Sequence, residues 1–181
     1  MSVPARILVL FAHPAFQKSR VHRHLVAAAR AVEGVTVHDL YEAYPSFQID
    51  VAHEQRLLLE HDVVVFQHPF YWYSGPALLK EWMDLVLDYN FAYGPEGTRL
   101  QGKALLSAIT AGGSAHAYAR DGHNRYTMEE LLRPFEQTAV LCGMAWLPPF
   151  VVHGTARLTG SETIAAHAAA YAARLKALRA G

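Results

Sequence analysis

Three stretches of this sequence place chemistry-bearing residues where an apolar run gives way to a loop. The first, AHPAFQKSRVHRH from Ala12 to His24, sets His13 just past a β-like run and Ser19 at the start of a helical pattern. The first N–H groups of a helix have no partner within it, and the helix dipole favours an anion there. A phosphate could therefore sit on Ser19 and its neighbours. A serine N-cap with no ligand fits the same residues. The second stretch runs from His68 through Pro76 and shows Phe70, Tyr71, Trp72 and Tyr73 before Ser74-Gly75-Pro76 opens a helix. Four adjacent aromatic residues form either a platform for a flat ring or a loop folded back on the core. The third, Thr110-Ala111-Gly112-Gly113, lets backbone approach a planar ligand closely because two residues lack side chains. A simple turn is the alternative. The ligand reading gains weight only if the three meet at one place.

The elements that would position them alternate strand and helix. Arg6 to Phe11 reads as a buried strand, followed by a helix from about Ser19 to Val32 with Val21, Leu25, Val26 and Ala29 toward a core. Gly34 stops it, and Val35 to Asp39 is a second strand. An irregular Leu40–Asp50 stretch leads to a short helix near Ala52–Glu60. The run Val63, Val64, Val65 and Phe66 is apolar on both faces, as in the middle of a parallel sheet covered by helices. A helix from Pro76 to Asp88, a loop from Phe91 to Gly102 and a strand from Lys103 to Thr110 follow. After a polar Ser114–Arg125 loop come a helix from Tyr126 to Cys142, a strand from Met144 to Val152 bent or interrupted at Pro148-Pro149, and a last helix near Thr159–Arg179. Thr159 and Glu162 have capping-box spacing. Five such units joined by right-handed crossovers predict one α/β domain over residues 1–181, a flavodoxin-like doubly wound five-stranded parallel sheet in the order 2-1-3-4-5 with helices on both faces. In that order the loops after strands one, three and four converge on one edge.

Composition narrows the function. Sixteen Lys+Arg balance sixteen Asp+Glu, which speaks against a nucleic-acid binder with a basic face. A single cysteine, Cys142, excludes a disulfide framework and fits a reducing compartment. With no signal-peptide pattern and no apolar run of about 18 residues, the expectation is a cytoplasmic protein, with peripheral attachment to the inner membrane face left open. Gly97–Lys103 resembles a phosphate loop, but Ala104 replaces the required Ser or Thr and a strand follows. No G-x-G-x-x-G follows the first strand and no G-x-S-x-G elbow exists. Eleven histidines form no H-x-x-x-H pair, so no metal site is expected.

Taken together, ILVLFAHP, QHPFYWYSGPALLKEWMD, FAYG, AGG and CGMAWLPPF resemble the NAD(P)H:quinone oxidoreductase family of flavodoxin-like flavoproteins. The likeness covers nearly the whole chain and is strongest to short bacterial members, including the ancillary proteins of glutathione-regulated potassium-efflux systems. It implies that His13 ends the first strand at the flavin, and that Ser19, Arg20, Val21 and His22 hold its phosphate. It further implies that Phe70, Tyr71, Trp72 and Tyr73 embrace the isoalloxazine, and that Thr110, Ala111, Gly112 and Gly113 match the family's T-T-G-G. Two residues depart from the pattern: His22 stands where asparagine is common, and Ala111 replaces the second threonine. The resemblance places Tyr118 over the flavin and His123 one residue from a histidine partner. A hydroxyl or imidazole there can stabilise charge on the reduced ring and help protonate a quinone. A mobile polar lid is the other reading of that loop. Phe91 and Tyr93 of FAYG correspond to residues that reach the neighbouring subunit's site, which implies a homodimer.

The implied activity is ping-pong transfer of two electrons from NAD(P)H through FMN to quinones or related acceptors. FMN is expected ahead of FAD, because no segment is evident to hold an adenosine. The alternative is a regulatory subunit docked on a potassium-efflux transporter, with secondary or vestigial reductase activity. A one-electron flavodoxin carrier fits less well with zero net charge and Tyr118.

Overall fold

The computed structural model describes residues 3–181. The parallel sheet is built from β1 (Ile7–Phe11), β2 (Val35–Asp39), β3 (Val63–Pro69), β4 (Ala104–Thr110) and β5 (Ala145–Trp146), in the order β2-β1-β3-β4-β5, and a sixth strand, β6 (Phe150–Val152), also pairs with β4. β5 meets β4 at Ala104 and Leu105, while β6 meets it at Ala108, Ile109 and Thr110. The expected interruption at Pro148-Pro149 thus splits one strand position into two segments, since proline cannot donate to the ladder.

Helices α1 (Arg20–Arg30) and α7 (Ser161–Ala180) cover one face, and α3 (Val51–Glu60), α4 (Ala77–Val86) and α6 (Arg133–Leu141) the other. The buried residues of β3 serve both sides. Val64 and Phe66 pack with Trp82 and Phe135, whereas Val63 and Val65 pack with Leu25 and Tyr171. Burial of each such side chain stabilises by roughly 1.5–3 kcal/mol, which fixes the strand in the centre. In α7 the buried residues Ile164, Ala168, Tyr171 and Leu175 recur at helical spacing along an otherwise alanine-rich helix.

Three local expectations are corrected. The Tyr126–Cys142 helix is two, α5 (Met128–Leu131) and α6, because Pro134 near the start of α6 has no N–H for the carbonyl of Glu130. The last helix starts at Ser161 with Gly160 as its cap, so Thr159 and Glu162 form no capping box. The irregular Leu40–Asp50 stretch holds a short helix, α2 (Leu40–Ala43), because the Asp39 carboxylate accepts from the N–H groups of Tyr41 and Glu42.

Candidate active site at the carboxyl edge of the sheet

The loops after β1, β3 and β4 meet. Phe70 N–H donates to the Thr110 carbonyl at 2.8 Å, and Thr110 Oγ1 lies 3.0 Å from His22 Nε2. The His13 ring stands edge-on to His22 at 5.2 Å and to Tyr71 at 6.3 Å. Phe70 and Tyr118 meet at 6.0 Å. His13, Ser19, His22, Phe70, Tyr71, Tyr73, Thr110, Ala111, Gly113 and Tyr118 therefore form one continuous cluster.

At the first loop, Ser19 Oγ accepts the His22 N–H at 3.1 Å and caps α1. That leaves the Ser19 hydroxyl proton and the N–H groups of Arg20 and Val21 without partners among the described residues. Such a donor set suits a phosphate. The His22 side chain does not share in it. It is fully buried and packed between Gln67 Nε2 at 3.3 Å and the Thr110 hydroxyl, and Gln67 in turn accepts from Tyr171 Oη at 3.0 Å. Burial, followed by the proximity of His13 and His68, holds the His22 pKa well below 6.5, so the imidazole is neutral and acts as a structural bridge between strands. His13 Nδ1 accepts the Ala15 N–H at 3.1 Å, and burial lowers its pKa as well.

The aromatic stretch is a tight turn. Trp72 and Tyr73 have φ of 50° and 61°, and Ser74 N–H closes the turn on the Tyr71 carbonyl at 2.9 Å. Two successive left-handed, non-glycine residues cost roughly 1–2 kcal/mol each. Trp72 is 94% exposed. The turn thus holds an unfavourable backbone while presenting a large apolar ring to solvent, and strained non-glycine backbone of this kind clusters at ligand sites. Tyr73 Oη donates to Asn124 Oδ1 at 3.1 Å, tying this turn to the loop after β4.

In that loop a Cβ built on Gly112 would meet only Ala156 Cβ at 3.8 Å, so the backbone face is open. A Cβ on Gly113 would press on Tyr118 at 3.1 Å. Burial, then the Tyr73 hydroxyl, raises the Tyr118 pKa. His123 is exposed and makes no side-chain hydrogen bond among the described residues. Phe91 and Tyr93 are partly buried against the core and make no ring contact with the three loops among the described residues; Tyr93 pairs with Tyr89 at 5.7 Å.

Sequence reasoning missed Gln67, Tyr171 and His153. A glutamine in an apolar strand and a tyrosine in an alanine-rich helix were the available signals. His153 follows β6, and its ring lies 5.5 Å from that of Tyr118. The fold also gathers a group that spacing did not reveal: ligand atoms of His38, His53 and Glu54 lie within 4.8 Å of one another. Glu54 is already bonded to Tyr44, His38 and Trp82, as a structural carboxylate would be.

The sequence matches the family described as the flavodoxin-like fold over residues 5–175. It is 54% identical over 171 residues to the glutathione-regulated potassium-efflux system ancillary protein KefG of Salmonella newport, covering 94% of this chain and 93% of that protein. General stress protein 14 from Treponema denticola, solved in complex with FMN, is 41% identical with a TM-score of 0.89, over 96% of this chain and 99% of that one. An NADPH-quinone reductase from P. pentosaceus is 34% identical with a TM-score of 0.85, over 94% and 97% of the respective chains. Matched through its whole sheet and over the loops that form the cluster, the chain belongs to the flavodoxin-like fold family.

Proposed function

We propose that this protein is an FMN-dependent NAD(P)H:quinone oxidoreductase. The observation that carries the reading is the meeting of an unpaired helix start, a solvent-facing aromatic turn and an open glycine backbone at one sheet edge. The FMN held by the Treponema relative supports FMN as the flavin, ahead of FAD. When bound, FMN supplies the ring that accepts hydride from NAD(P)H and passes it to the acceptor. Ser19, Arg20 and Val21 would hold the phosphate through their hydroxyl and backbone N–H groups. Phe70, Tyr71, Trp72 and Tyr73 would enclose the ring from one side, and Thr110, Ala111, Gly112 and Gly113 would approach it from the other. His13 and His22, both kept neutral by burial, shape the floor.

Tyr118 stands at the mouth, where its hydroxyl can stabilise negative charge and deliver a proton to a quinone oxygen. Its raised pKa keeps it protonated at neutral pH, as a donor must be. His123, on the same exposed loop, is a further candidate for that proton traffic. The nicotinamide and the quinone would use one aromatic slot in turn, which gives ping-pong kinetics. Phe91 and Tyr93 would reach a second copy's site in a homodimer, and light scattering on the purified protein tests that assembly. The test of the activity is a visible spectrum of the purified protein, followed by NAD(P)H oxidation with and without menadione. A colourless protein that stays inactive after added FMN refutes the proposal.

The 54% identity to KefG favours a second role beside the first: an ancillary subunit seated on a potassium-efflux transporter. No helix among the described residues is long and apolar enough to cross a membrane, so attachment would run through the partner. Co-purification with a transporter that survives loss of flavin binding would support it.

A further inference from the structure

We propose that His153 is the proton partner of Tyr118, acting through the tyrosine during quinone reduction; the assignment rests on the oxidoreductase reading above. The family resemblance pointed to His123 for this part; that side chain is exposed and unbonded among the described residues, and the neighbouring Asn124 is engaged by Tyr73. His153 arrives from a different element. Val152 pairs with Thr110, which sets His153 one residue past the end of β6, beside Ala111. The strap is pinned there by Ala111 N–H to the Val152 carbonyl at 2.9 Å, Gly154 N–H to the Gly113 carbonyl at 2.7 Å, and Thr155 N–H to the Ala111 carbonyl at 3.1 Å. Gly154, at φ 71°, makes the turn.

The His153 ring is tilted 42° to that of Tyr118 at 5.5 Å, and no direct hydrogen bond joins the two side chains among the described residues, so a proton passes between them through water. Its Nδ1 is buried and has no partner among the described residues. A buried nitrogen left unbonded is unfavourable, a deficit that a water bridging it to Tyr118 would relieve. The titratable groups facing His153 are Tyr118 and Glu129, the latter at the start of α5. Burial lowers the His153 pKa and Glu129 opposes it, so the imidazole is mainly neutral yet can pass through its charged form.

The proton balance is then complete. The quinone takes two electrons and one hydrogen as hydride, and needs one further proton to become the hydroquinone. The Tyr118 O–H bond breaks as the quinone O–H forms. The phenolate, disfavoured by burial, takes a proton from His153, which has taken one from solvent at its other ring nitrogen. Net consumption is one solvent proton per quinone, with tyrosine and histidine restored.

Two measurements test this. In the cofactor-free protein, NMR titration of the His153 ring is expected to show a midpoint lowered below 6.5 by burial, and Tyr118→Phe, which removes the hydroxyl the relay needs, is expected to move that midpoint by about half a unit. A midpoint indifferent to Tyr118→Phe overturns the pairing. In the FMN-loaded protein, stopped-flow traces are expected to show His153→Phe, which keeps a packed ring, reducing its flavin with NADPH at near the wild-type rate. Its reoxidation by menadione is expected to be about tenfold slower, without the wild-type pH inflection. His153→Ala is expected to recover reoxidation when imidazole is added. Slowing of both half-reactions together, or no rescue by imidazole, marks a packing role only and overturns the proposal. If the wild type takes up no FMN and oxidises no NAD(P)H, the oxidoreductase reading falls and this one with it. If the wild type turns over and His153→Phe matches it at every pH, the His153 assignment falls alone.

Discussion

Replacing the buried carboxylate of Glu54 by an amide tests how this fold holds the flank of its site. Glu54 is fully buried, and its Oε1 accepts from Tyr44 Oη at 2.5 Å and His38 Nε2 at 2.8 Å, while Oε2 accepts from Trp82 Nε1 at 2.7 Å. One side chain thus joins β2, the end of α2, α3 and α4. In Glu54→Gln the amide oxygen can keep the first two donors, but its NH2 then faces the indole N–H and leaves that donor buried and unpaired. Two charge-assisted bonds weaken and one is lost, which puts the cost at about 3–5 kcal/mol, as for other broken buried charge contacts. At about 2–4 °C per kcal/mol for a chain of this size, Tm should fall by about 10 °C. The pH dependence has a definite sign. Burial raises the Glu54 pKa, but the bonds from His38, Tyr44 and Trp82 together outweigh it and hold the group below 4.5. A lowered folded pKa contributes stability that is present above the unfolded value and lost as pH falls through the folded one. The gap between wild type and Glu54→Gln should therefore be full at pH 6–8 and close below about 4.5. Urea denaturation across pH 3–8 measures it. A gap under about 1 kcal/mol at pH 7, or one that widens on acidification, refutes the network as described.

Gly112→Ala should leave unfolding in urea unchanged, since its Cβ meets only Ala156, but weaken FMN affinity about tenfold or more by filling the open backbone face; fluorescence titration reads both FMN and fold. The double change Trp72→Asn with Tyr73→Gly should raise the stability of the cofactor-free chain by about 1–2 kcal/mol, because it supplies residues that accept left-handed φ, while lowering FMN affinity; equal affinity would remove the aromatic turn from the site. Ser19→Ala should cost about 1 kcal/mol through the lost cap on His22 N–H, and phosphate-dependent binding should fall further than riboflavin binding, measured by comparing the two flavins.

Much of the architecture could be read from residues. Val35–Asp39 matches strand β2 end for end, and the apolar Val63–Phe66 run lies buried in the sheet centre because both of its faces meet helices. The convergence of three loops followed from strand order alone. What stayed hidden depends on partners distant in sequence. His22 looked like a phosphate neighbour because it stands in the first turn of α1, and only its bonds to Gln67 and Thr110, 45 and 88 residues away, show its side chain turned inward. Thr159 and Glu162 had the right spacing for a cap, yet the helix began one turn-position later at Ser161. His153 could not be attached to Tyr118 without knowing that the chain after the two prolines returns to pair with the end of β4.

The clasp between the two ends of the described chain bears on synthesis. Ala5 N–H donates to the Arg179 carbonyl at 3.0 Å, the Arg179 guanidinium lies over Gly34, and Tyr171 reaches back to Gln67 beneath the candidate site. The first three strands emerge from the ribosome long before these residues do. Until α7 follows, only α1 covers that face of β1 and β3, and the glutamine bonded to His22 has no tyrosine to hold it. The floor of the candidate site is therefore complete only once the last helix docks, so any ligand that needs His22 held in place is captured late.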